Sequence, residues 1–245
     1  HHFTHLDSTN TFAIKMARQG GKQGTVVHAD QQSCGRGRGE KQFLSPIGGL
    51  YFSLILRPKL PLQHLPLITL AAGVGLSRGI AQTFAIPVQL KWPNDLYINN
   101  KKLAGILTET GPFHGGQTDF VVVGIGINIS TPTAEFPPEL QEKTTTLHEV
   151  TGTTITAAAL LPILVDNLLN AIKQLCGTLI EKNALLDEWR NKDYLLGKPL
   201  NYINAGKTVP AKGAGLADDG RYVIIDHHQT QHTITAGDLS PITVS

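Results

Sequence analysis

The chain has 245 residues, enough to bury a sizeable core in one large domain or in a large domain plus a small one. Hydrophobic residues make up 41% and charged residues 16%, with 25 Gly and 14 Pro, a loop-rich globular composition that excludes a disordered or fibrous chain. The formal charge of +2 with His neutral argues against a dedicated nucleic-acid binder, whose footprint is a strongly basic domain or face.

Cys34 and Cys176 lie too far apart in sequence for a metal knuckle or a disulfide framework, so a reducing, cytoplasmic setting is expected. No apolar run approaches the roughly 20 residues that cross a bilayer, and no basic-then-apolar signal pattern opens the chain. Neither membrane insertion nor secretion is expected. His1-His2 reads as the remnant of a tag or the cut end of a longer chain, and both residues are set aside from the site. The other histidines are scattered, with His227-His228 in a turn, and no pair has zinc-ligand spacing. No structural metal is expected.

Phe3 to Leu6 reads as a short strand, and Asp7-Ser8-Thr9-Asn10 offers N-caps for a helix running to about Gln19. Thr25 to Gln31 and Leu50 to Leu56 are strand candidates separated by a polar, glycine-broken loop from Gln32 to Gly49. Leu62 to Phe84 has helical spacing with Pro66 in its first turn, and Gly73, Gly75 and Gly79 suit close packing on a sheet. Val88 to Trp92, Leu96 to Ile98, Leu103 to Thr110 and Phe120 to Ile129 read as four more strands, with a Gly-rich connection around His114 to Gln117. Thr146 to Thr151, Ala157 to Cys176 and Thr178 to Leu195 are helical. From Gly197 the period becomes two, and strands at Leu200 to Ile203, Thr208 to Lys212, Tyr222 to Ile225 and Thr233 to Ala236 predict a small all-β barrel. The domain boundary falls near Leu196.

Three segments carry chemistry. Gly35-Arg36-Gly37-Arg38-Gly39 follows a strand, where glycines admit a ligand to the backbone and two fixed cations hold phosphate or carboxylate. Its spacing matches neither the dinucleotide nor the P-loop fingerprint, and by itself it also fits an ordinary surface loop. Lys91-Trp92-Pro93-Asn94-Asp95 ends a strand in a turn, and Lys101-Lys102 opens the next strand but one, before an apolar run. Taken singly, Trp92 is a packed aromatic and Lys101 a solvated charge. Gly124-Ile125-Gly126-Ile127-Asn128 removes side chains twice from one face of a strand, so something flat can lie there.

In order and spacing, Asp7-Ser8-Thr9-Asn10, Gln31, Gly35 to Arg38, Lys91 to Asp95, Lys102 to Leu107 and Gly124 to Asn128 resemble the catalytic domain of biotin protein ligases, over roughly Phe3 to Leu195. The strands after it resemble the SH3-like C-terminal domain of that family. The resemblance implies an α/β fold of the α+β kind, a mixed β-sheet flanked by helices (class II synthetase-like) over residues 1–195 and a small SH3-like β-barrel over 196–245. It implies that Ser8, Thr9, Gln31 and the Gly35-Arg36 backbone hold biotin's ureido ring, that Asn10 also belongs to the biotin site, and that Gly124 and Gly126 form the floor beneath it. Arg36, Arg38 and Lys102 match the catalytic cations around the biotin carboxylate and the ATP α-phosphate, Asn128 matches a position near the nucleotide and its metal, and Phe43 the aromatic position beside adenine. The run Gly39-Glu40-Lys41-Gln42-Phe43 departs from the commoner Arg-Gly-Arg-x-Trp pattern, with Glu40 reducing the local positive charge. Cys34 reads as a small filler, since the implied chemistry has no enzyme thioester.

The implied reaction uses ATP and Mg²⁺ to convert biotin to biotinyl-5′-AMP, then passes the biotinyl group to a lysine of a biotin carboxyl carrier protein domain of an acetyl-CoA or pyruvate carboxylase. That lysine, with an ordinary pKa of about 10.4, must lose a proton first. Asp95 is the candidate base, with a purely structural Asn-Asp turn as the alternative. A lipoate ligase and a biotin-responsive repressor are the rival readings, and a third, an RNA-binding module built on the RG loop, is disfavoured by the near-neutral charge and the absence of an aromatic strand signature. Some relatives carry an N-terminal winged-helix domain, but this chain begins at the ligase domain, so no nucleic-acid contact by this chain is expected; a homodimer is compatible with the family.

Overall fold

The computed structural model describes residues 1–204, 207–235, 237 and 239–242. The chain runs β1 (His2–Leu6), α1 (Thr9–Arg18), β2 (Val26–Gln32), β3 (Gly49–Leu56), a 3-10 turn (Leu62–His64), α2 (Pro66–Phe84), β4 (Gln89–Lys91), β5 (Asp95–Ile98) and β6 (Lys101–Thr110). It continues through a miniature hairpin, β7 (Phe113–His114) and β8 (Gln117–Thr118), to β9 (Val121–Asn128), then α3 (Pro138–Gln141), α4 (Leu147–Thr151), α5 (Ala157–Leu175) and α6 (Leu179–Asn191). The last strands are β10 (Pro199–Asn204), β11 (Lys207–Leu216), β12 (Tyr222–Asp226), β13 (Gln231–Ile234) and β14 (Ser240–Pro241). The expected end of the fourth C-terminal strand, Ala236, lies outside the described residues.

Seven strands form one mixed sheet in the order β1-β2-β3-β9-β6-β5-β4, and five form an antiparallel sheet in the order β13-β12-β11-β10-β14. The large sheet is antiparallel apart from the outer pair β1 and β2. His1 and His2 are not an appendage: His2 pairs with His28 in that ladder, and His28 N donates to the His1 carbonyl at 2.9 Å. Strands β3 and β9 are buried along their whole length, because helices cover both faces of the sheet. On one side Ala13 and Ala17 of α1 pack on Val27, Ile55, Phe120 and Val122. On the other, α2 supplies Leu67, Ile68, Val74, Leu76 and Ile80 to the main core, with α5 lying against it through Leu160, Leu164 and Leu168.

The segment Leu62–Phe84 and helix α5 are long and apolar enough to cross a membrane by length and composition alone, a test that buried core helices also pass. In α2 that apolarity is used internally, 72% of the segment's most apolar window being buried. Gly75 and Gly79 let the helices approach: a Cβ at Gly75 would stand 2.7 Å from the Leu168 Cα and 2.8 Å from the Asn167 carbonyl oxygen. Backbone cannot yield as a flexible side chain does. Gly75→Ala should therefore destabilise the protein by about 1–3 kcal/mol, read as a fall in urea midpoint at unchanged slope.

Helix α6 stops at Asn191, short of the expected Leu195, because the chain there turns to pair with β4. Leu90 N donates to the Lys192 carbonyl at 2.7 Å, and Tyr194 N to the Leu90 carbonyl at 2.9 Å. Just beyond lies the junction with the small sheet. Trp92 Nε1 donates to the Gly220 carbonyl at 3.0 Å, and the Tyr222 hydroxyl donates to Asp193 Oδ2 at 2.8 Å. The hydrophobic core runs without a break through Trp92, Leu195, Leu200, Tyr222 and Ile224.

Burial pushes the Asp193 carboxyl up to about 6, against the hydrogen bonds from Leu195 N and Tyr222 that favour its charge. The folded state therefore holds this proton more tightly than the unfolded one. Its contribution is greatest below the ordinary value of 3.8 and is lost as pH rises through about 6. Asp193→Asn should flatten this decline, on the order of 1–3 kcal/mol, in denaturant midpoints measured from pH 4 to 8.

Candidate active site

The site grows from the centre of the large sheet. Gly105 of β6 pairs with Gly126 of β9, and Leu107 with Gly124, so that three of four neighbouring positions on one face lack side chains. A Cβ at Gly124 would lie 1.9 Å from Asn10 Oδ1, and one at Gly126 2.4 Å from the Phe43 ring. The space expected for a flat ligand is thus filled by two of the protein's own side chains, and this corrects the simple picture of a bare glycine floor. Both side chains come from segments that fold onto the sheet.

Asn10 sits in the first turn of α1, which Ser8 caps by accepting from Thr11 N at 3.4 Å in an extended N-cap conformation. Asn10 Nδ2 donates to the Leu107 carbonyl at 3.2 Å and to Glu109 Oε2 at 2.9 Å. Ser53, fully buried in the middle of β3, places its Oγ 2.6 Å from Asn10 Oδ1 and 2.8 Å from Thr9 Oγ1. Thr9 in turn donates to Gln32 Oε1 from its backbone N at 2.8 Å and its hydroxyl at 3.1 Å, while Gln32 Nε2 donates to Ser45 Oγ at 2.8 Å. A continuous polar network therefore runs from β2 to β6 across the sheet.

Phe43 arrives on the long loop, which is folded back on itself rather than open. Bridges Gln32 to Ser45 and Arg36 to Gln42 close it, with Phe43 N donating to the Gly35 carbonyl at 2.9 Å and Gly37 N to the Lys41 carbonyl at 2.8 Å. Gly35 is required at the crossing, where a Cβ would lie 2.2 Å from the Phe43 carbonyl oxygen. The fold-back brings the cations inward. Arg36 grips Glu109 with two contacts, 2.9 and 3.0 Å, in the fork geometry of a guanidinium on a carboxylate. Arg38 Nη1 donates to the Gly237 carbonyl at 3.3 Å, touching the C-terminal segment.

Lys102 Nζ lies 2.8 Å from Asp95 Oδ1 and 5.9 Å from the centre of the Phe43 ring. The Lys102 contact is an ion pair outside hydrogen-bond angles, leaving Asp95 Oδ1 buried without a hydrogen-bond donor. Asn94 ties the same turn to β6, its Nδ2 donating to the Ile106 carbonyl at 2.8 Å.

Ser8, Thr9, Asn10, Arg36, Arg38, Phe43, Asp95, Lys102, Gly124 and Gly126 line one cavity of about 120 Å³. A second cavity of about 450 Å³ adjoins it across Arg38, Asn94, Ile106 and Leu107 and extends to Asp219 and Arg221 of the small sheet. Three sequence candidates fall elsewhere. Gly35 sits at the loop's crossing. Gln31 is absent from the lining and Gln32 takes its place, since neighbouring strand residues point to opposite faces. Asn128 is buried and its Nδ2 donates to the Thr145 carbonyl at 3.2 Å, which ties it to the segment before α4 and away from the cavity lining. Sequence reasoning singled out the turn that holds Asn94 without giving that residue a role, and it missed Gln32, Ser53 and Glu109. The signals were a lone hydroxyl in an apolar strand for Ser53, and for Glu109 the alternation Gly105, Leu107, Glu109 along one face. Cys34 and Cys176 are free and exposed.

Gly124→Ala should expel Asn10 from its contacts with Ser53 and the Leu107 carbonyl, at a cost of about 1–3 kcal/mol in denaturant unfolding. Adding Asn10→Gly should recover part of that loss, and a purely additive double variant would refute the coupling.

Comparison with known proteins gives a consistent picture. Residues 3–128 match the Biotin/lipoate A/B protein ligase family. The bifunctional ligase/repressor BirA of Bacillus subtilis is 41% identical over 157 residues, 64% of this chain and 48% of that protein. The biotin–[acetyl-CoA-carboxylase] ligase of Paracoccus denitrificans is 37% identical over 131 residues, 51% of this chain and 52% of that one. The matched segment thus spans about half the length of these curated relatives. Among solved structures, the biotin protein ligase of Aquifex aeolicus in complex with biotin and ATP superimposes with a TM-score of 0.82 at 29% identity, covering 98% of this chain and 97% of that one.

Proposed function

The chain belongs to the biotin/lipoate A/B protein ligase family, and from that premise we propose that it is a biotin protein ligase. It activates biotin with MgATP to biotinyl-5′-AMP, releasing pyrophosphate, and transfers the biotinyl group to a lysine of a biotin carboxyl carrier domain. The observation that carries this reading is the single cleft in which a polar cap from Ser8, Thr9 and Gln32 faces a cluster of cations, Arg36, Arg38 and Lys102, across the glycine strip of β6 and β9. The carboxylate partners of two of these cations, Glu109 for Arg36 and Asp95 for Lys102, hold them ready for a reaction between two anions.

A biotin carboxylate and an ATP α-phosphate repel each other, so their approach needs fixed positive charge. Arg36 and Lys102 are already oriented by Glu109 and Asp95, so that an incoming carboxylate or phosphate meets guanidinium and ammonium groups in place and does not wait for reorganisation. Asn10 shares Glu109 with Arg36, coupling the polar cap to the cation. Asp95 Oδ1, buried beside the Lys102 ammonium at 2.8 Å, would offer the hard oxygen ligand that Mg²⁺ takes from a protein carboxylate, and that ion would supply further charge neutralisation on the phosphates. Asp95 thereby fits the positioning of Lys102 and a metal contact better than removal of a proton from the acceptor lysine. Residues 1–195 carry the chemistry, and the part from 196 flanks the cleft through the Arg38 contact with Gly237 and the wall at Asp219 to Arg221. The acceptor belongs to an acetyl-CoA or pyruvate carboxylase, in a cytoplasmic setting where ATP is at hand.

A lipoate ligase is the second reading, since the same family covers both acids; the polar cap at Ser8 and Thr9, suited to a ureido ring, favours biotin. Incubation with biotin, α-labelled ATP and Mg²⁺ without acceptor should yield labelled biotinyl-AMP, with none from lipoate. Arg36→Ala and Arg38→Ala should each lower the rate about 10²–10³-fold, the scale on which a transition-state charge contact is lost. Adenylation of lipoate alone would move the substrate to the rival acid, and no adenylate from either would refute the ligase reading.

A further inference from the structure

The outer edge of the large sheet, away from the cleft, gathers three further groups. His2 of β1 and His28 of β2 are register partners, and their rings stack 4.7 Å apart at 14°. Asp30, two residues beyond His28 and therefore on the same face of β2, lies 2.7 Å from His2 Nε2 and 3.9 Å from His28 Nε2. The candidate ligand atoms all fall within 4.8 Å of one another. His28 is only 8% exposed, and its Nε2 is buried with no hydrogen-bond partner. Buried ring nitrogens are ordinarily satisfied, so an orphan 3.9 Å from a carboxylate and stacked beside a second imidazole requires an explanation.

We propose that His2, His28 and Asp30 form a binding site for a divalent transition-metal ion of the zinc class. Two imidazoles and one carboxylate are a donor set that zinc accepts, with a fourth position left to water. Ligands at about 2.0–2.2 Å from a tetrahedral ion stand about 3.3–3.6 Å apart, so the 2.7 Å pair must open, the 3.9 Å pair close slightly, and the two imidazole nitrogens, within 4.8 Å of each other, draw together by up to about 1.5 Å. The His2 side chain, 58% exposed on an edge strand, has the freedom to make that adjustment. The sequence conceals this site because its ligands stand 26 positions apart and meet only through parallel pairing of β1 with β2. Both strands run toward the cleft, β1 into Ser8 and Thr9 and β2 into Gln32, so a bound ion ties together the two strands that present the polar cap.

The test is titration of the chain, free of any affinity tag, with Co²⁺ and then Zn²⁺. One equivalent of Co²⁺ should produce visible ligand-field bands that Zn²⁺ abolishes, and Zn²⁺ should raise the melting temperature. Asp30→Asn and His2→Ala, at partly exposed positions that keep the core intact, should each weaken affinity by at least the roughly 10–100-fold that loss of even an outer-shell partner costs. His28→Ala should do the same where it folds. A His227→Ala/His228→Ala double variant should leave the titration unchanged. Absence of the bands, or bands and a thermal shift that survive His2→Ala and Asp30→Asn, would overturn the proposal.

Discussion

Where Gly105, Gly124 and Gly126 meet on adjacent strands, the sheet has a strip without side chains, and the backbone there lies open to whatever folds over it. Nearly every feature of the cleft answers to that constraint. Asn10 reaches down onto Gly124 only because α1 starts directly above it, and Phe43 reaches Gly126 only because the long loop doubles back. A larger residue at either glycine would occupy the volume these side chains use. Placement of the helix, closure of the loop and orientation of the polar network are thus consequences of missing atoms in β9.

The charges follow the same logic. Four cations line the cavity, among them Lys41, and the two best defined are each matched to a carboxylate on the floor or in the adjoining turn. Both cations keep solvent contact, Arg36 at 45% and Lys102 at 33% side-chain exposure, and Glu109 and Asp95 fix the direction in which they point. Both side chains are held in position by these carboxylates. Such preorganisation is what the proposed joining of two anionic substrates would require.

The junction between the two sheets is built as a continuation of the core. Trp92, in the motif that marks the cleft, donates to Gly220, while the Tyr222 hydroxyl bonds Asp193 beyond α6. The Lys-Trp-Pro-Asn-Asp segment consequently does two jobs: Asn94 and Asp95 face the cavity and Trp92 anchors the small sheet that walls the adjoining one. Movement at that junction would be felt in the cleft through Arg38 and the turn at Gly220.

Local chemistry determined much of this directly from the sequence. Apolar period, glycines and caps were enough to find the strands from β1 to β6, β9, helices α1, α2, α4 and α5, and the change of period that introduces the small sheet, because each depends on neighbours within a few residues. Ser8, Thr9, Arg36, Arg38, Lys102 and the paired glycines of β9 were legible for the same reason: unusual residue types concentrated in short segments. What only the tertiary structure decided are relations between distant segments. Gln32 in place of Gln31 depends on how β2 ends against Ser45, the partnership of Glu109 with Arg36 on a loop folding across three strands, and the withdrawal of Asn128 on Thr145 passing behind β9. The early end of α6 depends on pairing with Leu90, and the meeting of His2, His28 and Asp30 on a parallel register. A side chain's partner is set by which strands lie side by side and in what register, and no local pattern encodes that.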